Sequence, residues 1–126
     1  MKRVLLAMVV VSSLAGCAGS PLGNLVNNER LETKNDVMAS WVGAKEDELI
    51  INWGPPDNSY TLSNGAKIVS YEYIWGQYVG QRIHCVEKFM IEKGIVTKWG
   101  MDSTCRKSLN KPSTVSKDIP IPQPTL

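Results

Sequence analysis

The sequence predicts an α+β domain in which two short N-terminal helices pack on one face of an antiparallel meander of three to four strands. Three observations predict it. Lys45 to Trp53 combines strong helix formers with an acidic first turn, Glu46-Asp47-Glu48, and apolar Leu49, Ile50 and Trp53. Gly54-Pro55-Pro56 then forbids any continuation of that helix. Beyond Pro56 the apolar residues recur at period two, and a run of helices followed by a run of strands is the α+β order.

The chain of 126 residues opens with Lys2 and Arg3, an apolar stretch from Val4 to Leu14, and the small residues Ala15 and Gly16 before Cys17. This is the layout of a secretory signal peptide, and the apolar stretch falls short of the ~20 residues of a spanning helix. Leu14-Ala15-Gly16-Cys17 resembles the bacterial lipobox, in which the cysteine sulfur carries a diacylglycerol and cleavage occurs before the cysteine. Residues 1–16 are therefore expected to be removed and Cys17 to be lipidated. Ala18, in place of Asp, resembles the outer-membrane sorting signal of enteric-type bacteria. Loss of Lys2 and Arg3 lowers the basic count from 14 to 12, equal to the 12 acidic residues. A near-neutral exported chain gives no charge argument for nucleic acid.

Residues 17–30 carry Gly19, Ser20, Pro21, Gly23 and several asparagines, the composition of a flexible tether. The domain proper is expected over 31–107. Its first helix begins near Leu31 with Thr33 and Asp36 as a capping pair; Val37 and Trp41 share one face, with Met38 and Val42 beside them. Gly43 ends this helix. After the second helix, Ser59–Ser63 and Ala66–Trp75 flank Asn64-Gly65, the signature of a two-residue type I′ hairpin turn. Val69, Tyr71, Tyr73 and Trp75 lie on one face of that second strand. Residues 76–81 form a loose connection. Arg82–Ile91 is a third strand, with Ile83, Cys85, Phe89 and Ile91 on one face, and Ile95–Trp99 returns with Ile95 and Trp99 facing the same way. Residues 108–126, with Pro112, Pro120, Pro122 and Pro124, are expected to be a disordered tail.

With Cys17 carrying lipid, Cys85 and Cys105 remain as a pair in an oxidising compartment. If Lys93 and Gly94 form the turn, Glu92 pairs with Ile95 and Cys85 falls opposite Asp102. Cys105 is then three residues past the partner, within reach of a disulfide. Closing a loop of about 20 residues is worth ~3 kcal/mol in the chain-entropy account. The only histidine, His84, has no neighbouring Ser, Cys or carboxylate motif, so a solvated strand residue is the expectation; Glu46, Asp47 and Glu48 serve the helix dipole. No phosphate loop, nucleophile elbow or metal motif is present, so no catalytic residue, metal or cofactor is expected. Trp41, Trp53 and Trp99 fit the core. Trp75, Tyr78 and Arg82 approach a glycine-rich stretch and form a candidate binding patch.

The lipobox, the segment from Gly43 to Trp53-Gly54-Pro55-Pro56-Asp57 and the strand meander together resemble the SmpA/OmlA family of small outer-membrane lipoproteins, the BamE-like proteins. Their pattern, Gly-x-Ser/Thr-x-x-x-Val/Leu-x-x-x-x-Gly-x-Pro ahead of three strands, covers roughly residues 31–100. The chain departs from it at Ala44, where a Ser or Thr is usual, at Trp53, where Leu is commoner, and in carrying Cys85 and Cys105. The last two suggest a separate lipoprotein branch with a Trp-Gly-Pro-Pro signature. The resemblance implies a non-enzymatic role at the periplasmic side of the outer membrane, supporting membrane-protein assembly or envelope integrity through a protein or lipid partner, with no small-molecule substrate. β-Lactamase-inhibitory proteins look like tandem copies of a similar unit. A lipid-anchored surface hydrolase or inhibitor is the alternative, and a cleft converging on His84 with an acid and a hydroxyl is what it would require.

Overall fold

The computed structural model describes residues 27–126. The expected leader, Cys17 and nearly all of the expected tether lie outside the described residues. Within them the chain is α+β, with two helices, a four-stranded antiparallel sheet and a two-stranded one.

Thr33 starts helix α1 (Lys34–Ser40) with a capping box: its hydroxyl accepts from Asp36 N–H while the Asp36 carboxylate accepts from Thr33 N–H. The same carboxylate receives both terminal nitrogens of Arg30 at 2.8 Å, a bidentate pair that is largely shielded from solvent. Met38 is fully buried and Trp41 packs against the core, whereas Val42 is exposed; the buried stripe therefore runs through Met38, one residue from the expected Val37 face. Helix α2 (Glu46–Trp53) has no side-chain cap. Its first N–H donates instead to Gly94 O at 2.8 Å, so a strand turn does the capping that Ala44 and Lys45 cannot. At its other end Gly54 takes φ 84° and ψ 179°, a region effectively reserved for glycine, and Gly54 O accepts the Tyr71 hydroxyl at 2.9 Å.

The larger sheet runs β2 (Asn58–Thr61), β3 (Lys67–Tyr78), β4 (Gln81–Glu92) and β5 (Ile95–Met101) as neighbours in chain order. Met38 and Leu49 from the helices join Val69, Tyr71, Phe89, Ile91, Val96 and Trp99 in one buried cluster. Trp53 is its junction, edge-on to Phe89 at 5.1 Å and to Trp41 at 6.3 Å, and tilted on Tyr71 at 5.3 Å.

Four local expectations are corrected. The Asn64-Gly65 hairpin is a three-residue loop: Leu62 N–H donates to Ala66 O, and only Gly65 of the pair has positive φ, because the Asn64 side chain takes the Ala66 N–H and locks a different turn. The segment 76–81 is no loose connection. β3 and β4 continue through it to a tight turn in which Val79 (φ 47°) and Gly80 (φ 76°) are both left-handed. In β5 a bulge after the Ile91–Val96 pair shifts the register by one, so Val96 and Trp99 face the core together and Ile95 does not. The same shift moves Cys85 off the Asp102 register.

The largest correction concerns residues 108–126. They are not a disordered tail. β6 (Thr114–Ser116) pairs antiparallel with β1 (Glu29–Leu31), which itself lies where the tether was expected to reach residue 30. The structured unit thus extends on both sides of 31–107. Prolines lack an N–H but keep their carbonyl, and here donors 87 to 90 positions away find them: Asn35 Nδ2 bonds Pro122 O at 2.8 Å, and Arg30 bonds Ile119 O and Pro120 O. Farther on, Thr125 and Leu126 N–H both reach Trp99 O at 3.0 Å, and Thr125 Oγ1 accepts from Trp99 N–H. Gly100 permits this approach, since a Cβ there would sit 2.6 Å from Leu126 O. Gly43 and Ala44 bond Val96 on the same strand. The β5 edge is covered along its length, and the other edge, β2, is short and polar.

Two outcomes are expected. Trp53→Ala should lower unfolding free energy by ~3–5 kcal/mol in urea titration, against under ~1 kcal/mol for exposed Glu48→Ala. The Arg30 hydrogen bonds, opposed by burial and aided by Thr33, hold the Asp36 carboxyl well below the usual carboxylate range. A depressed native pKa gives stability that is complete above the unfolded Asp value of ~4 and drains away as pH falls below it. Acid titration of the Tm should show that loss in wild type and a shallower one in Asp36→Asn.

Candidate binding surface

β3 and β4 outrun the rest of the sheet. β2 leaves β3 at the Asn58–Ser70 pair and β5 leaves β4 at the Glu87–Met101 pair, so Tyr73–Val86 continues as a two-stranded ribbon. One side of its base is held by the segment after β5. Asp102 N–H donates to Val86 O, Thr104 Oγ1 to His84 O, and Cys105 is joined to Cys85 by a disulfide with the Cα atoms 4.6 Å apart. The bond encloses the β4–β5 hairpin and joins the two cysteines expected to pair.

The three residues of the sequence-derived patch do not gather on one face. Trp75 occupies a bulge between the Ile74–His84 and Gly76–Ile83 pairs; it is 40% exposed, and its Nε1–H donates to Thr104 O at 2.8 Å. Tyr78 pairs with Gln81 and Arg82 with Gln77, which puts Tyr78 and Arg82 on opposite faces of the ribbon. Tyr78 is 75% and Val79 83% exposed, and Ile74 adds a half-exposed side chain. What the ribbon presents is therefore an apolar end rather than a one-sided aromatic and basic patch.

Where the ribbon meets α1 there is a cleft of about 380 Å³, lined by Lys34, Tyr73, Trp75, Arg106, Ser108 and Asn110 among others. Behind it sits a charge pair that the sequence reasoning missed. Glu87 is 2% exposed and bonds Lys34 Nζ at 2.8 Å. The ammonium also lies 5.4 Å from the Tyr73 ring and 5.8 Å from the Trp53 ring. Burial raises the Tyr73 hydroxyl above its ordinary value, with the Lys34 charge opposing it. The signal was in the alternation: residue 87 falls between Cys85 and Phe89 on the inward parity of β4, and a carboxylate there requires a cation.

His84 lies on the outer face, half exposed, with Nδ1 3.0 Å from Glu72 Oε1. Asp57 stands beside them and accepts Glu72 N–H. Among the described residues Glu72 is the only side chain hydrogen-bonded to the His84 ring, and no group of three or more His, Cys, Asp or Glu is placed to hold a metal ion.

Removing Lys34 alone should strand a buried carboxylate. Lys34→Met is expected to destabilise by ~3–5 kcal/mol, and Lys34→Met with Glu87→Leu to recover most of that loss, as read by urea unfolding in a double-mutant cycle.

Comparison with protein-family models, with curated proteins and with solved structures returns no match to this chain.

Proposed function

We propose that the protein is a lipid-anchored, periplasm-facing lipoprotein of the bacterial outer membrane whose role is binding rather than catalysis. The observation that carries the binding role is the ribbon end. Tyr78 and Val79 stand in water at the end of a β-ribbon stapled at its base, with Trp75 partly exposed behind them, and apolar surface displayed on a rigid element serves a partner. The lipobox at Cys17 supports the anchor. In this reading the two helices pack on one face of the meander as a BamE-like unit, a divergent one with the Trp-Gly-Pro-Pro signature. Its place is in outer-membrane assembly or envelope integrity, with a protein or lipid partner and no cofactor.

The lipid-anchored hydrolase keeps one observation in its favour, the His84–Glu72 pair, which has the form of a base with its orienting acid. A nucleophile would have to join it. The binding reading assigns the pair to the solvated outer face.

The test has two arms. A palmitate analogue should label the wild type, and Cys17→Ser should lose both the label and membrane fractionation; a Cys17→Ser chain that stays labelled ends the anchor proposal. Loss of the envelope phenotype should follow Tyr78→Ser with Val79→Asn and not His84→Ala. The reverse pattern would favour the hydrolase.

A further inference from the structure

We infer that the apex of the β3–β4 ribbon is a membrane-surface wedge, seating Trp75, Tyr78 and Val79 in the interfacial zone of the leaflet that holds the Cys17 lipid. The inference rests on the lipoprotein reading for the identity of that leaflet.

Three hairpin turns of one chain can be compared. The β2–β3 loop carries Ser63, Asn64 and Gly65, and the β4–β5 turn carries Lys93 and Gly94, all polar or without a side chain. The β3–β4 turn alone puts a large apolar residue at its tip. Val79 does so at φ 47°, where a β-branched side chain is a steric outlier and Asn would sit without strain. An apolar tip kept against its own backbone preference has a use outside the fold, because at 83% exposure it contributes almost nothing within it.

The chemistry around the tip points to a lipid surface. Residues 74–83, beyond the His84–Glu72 pair and Asp57 at the base, contain no Asp or Glu and one basic side chain, Arg82, so the projecting part carries nothing that repels an anionic leaflet. Trp and Tyr close to an Arg are the side chains that favour the headgroup boundary. Ile74 and Tyr78 lie on opposite faces of the ribbon, with Val79 at its end. Apolar groups on both faces of a projection, interleaved with the polar Gln77, Gln81 and Arg82, suit an interfacial medium that surrounds it, whereas a docked protein would cover one face. The ten residue steps from Cys17 to Asn27 span at most ~35 Å, and the six residues from Tyr73 to Tyr78 project the tip by ~20 Å.

The experiment uses the full lipidated chain reconstituted into vesicles of phosphatidylcholine with phosphatidylglycerol, with bromine on the upper acyl chain as a contact quencher of tryptophan. Flotation reads the anchor, and fluorescence reads the apex. Brominated vesicles should quench part of the wild-type emission, and Trp75→Phe should remove that part. Tyr78→Ser with Val79→Asn should reduce it by about threefold or more. The double variant is expected to fold at least as well as wild type, since Asn-Gly suits the turn. A wild type that floats with Trp75 unquenched overturns the wedge and leaves the lipoprotein reading intact. Quenching that survives unchanged in the double variant overturns it as well, as does a floated chain whose apex crosslinks to protein in place of lipid. A wild type that fails to float removes the anchor and the wedge together.

Discussion

Everything in the domain converges on the Trp53 indole. It closes α2, touches Trp41 at the end of α1, and lies against Tyr71 and Phe89 of two different strands. One ring thereby fixes both helices against the sheet, which a small core needs, since few side chains are available to share the task. The residue after it has to be glycine for a geometric reason. The φ and ψ at Gly54 lie where side chains are not accommodated, and its carbonyl accepts the Tyr71 hydroxyl. The two prolines that follow keep the helix from continuing.

Beside this aromatic junction lies the Lys34–Glu87 pair. Its desolvation is offset by rings on either side of the ammonium, and it joins the first residue of α1 to the middle of β4. Position 87 also neighbours the cysteine that binds the loop after β5. The ribbon is therefore braced at its base by a covalent bond and an ion pair, both on the inward face of β4, and its free end is left with no structural duty.

Much of the fold was legible because its causes are local. The Thr33–Asp36 cap, the stop at Gly54-Pro55-Pro56 and the period-two strands each announce themselves within a few residues, and the cysteine pair follows from a count of three with Cys17 set aside. Where the reading failed, the deciding contact was one that the residue pattern does not specify. Asn64-Gly65 suggested a type I′ turn, but the Asn64 side chain accepts Ala66 N–H two residues on. Pro120 and Pro122 look like disorder until Arg30 and Asn35 supply donors. The β5 bulge has no sequence signal we can identify, and it decides which of Ile95 and Val96 is buried. For the site, exposure of Trp75 and Tyr78 was legible from the glycines around them. The opposition of Tyr78 and Arg82 was not, because it depends on where a two-residue turn falls.

The pairing of β1 with β6 has a mechanical consequence. A pull arriving from the N-terminal side enters the described chain at Asn28, whose carbonyl accepts Lys117 N–H, and passes to three antiparallel residue pairs. From there it divides. One branch runs through Arg30 and Asp36 into α1, and the other follows the proline segment to the backbone of Trp99. Traction from the N-terminal side is thus distributed to two separate parts of the core instead of peeling a single terminal strand.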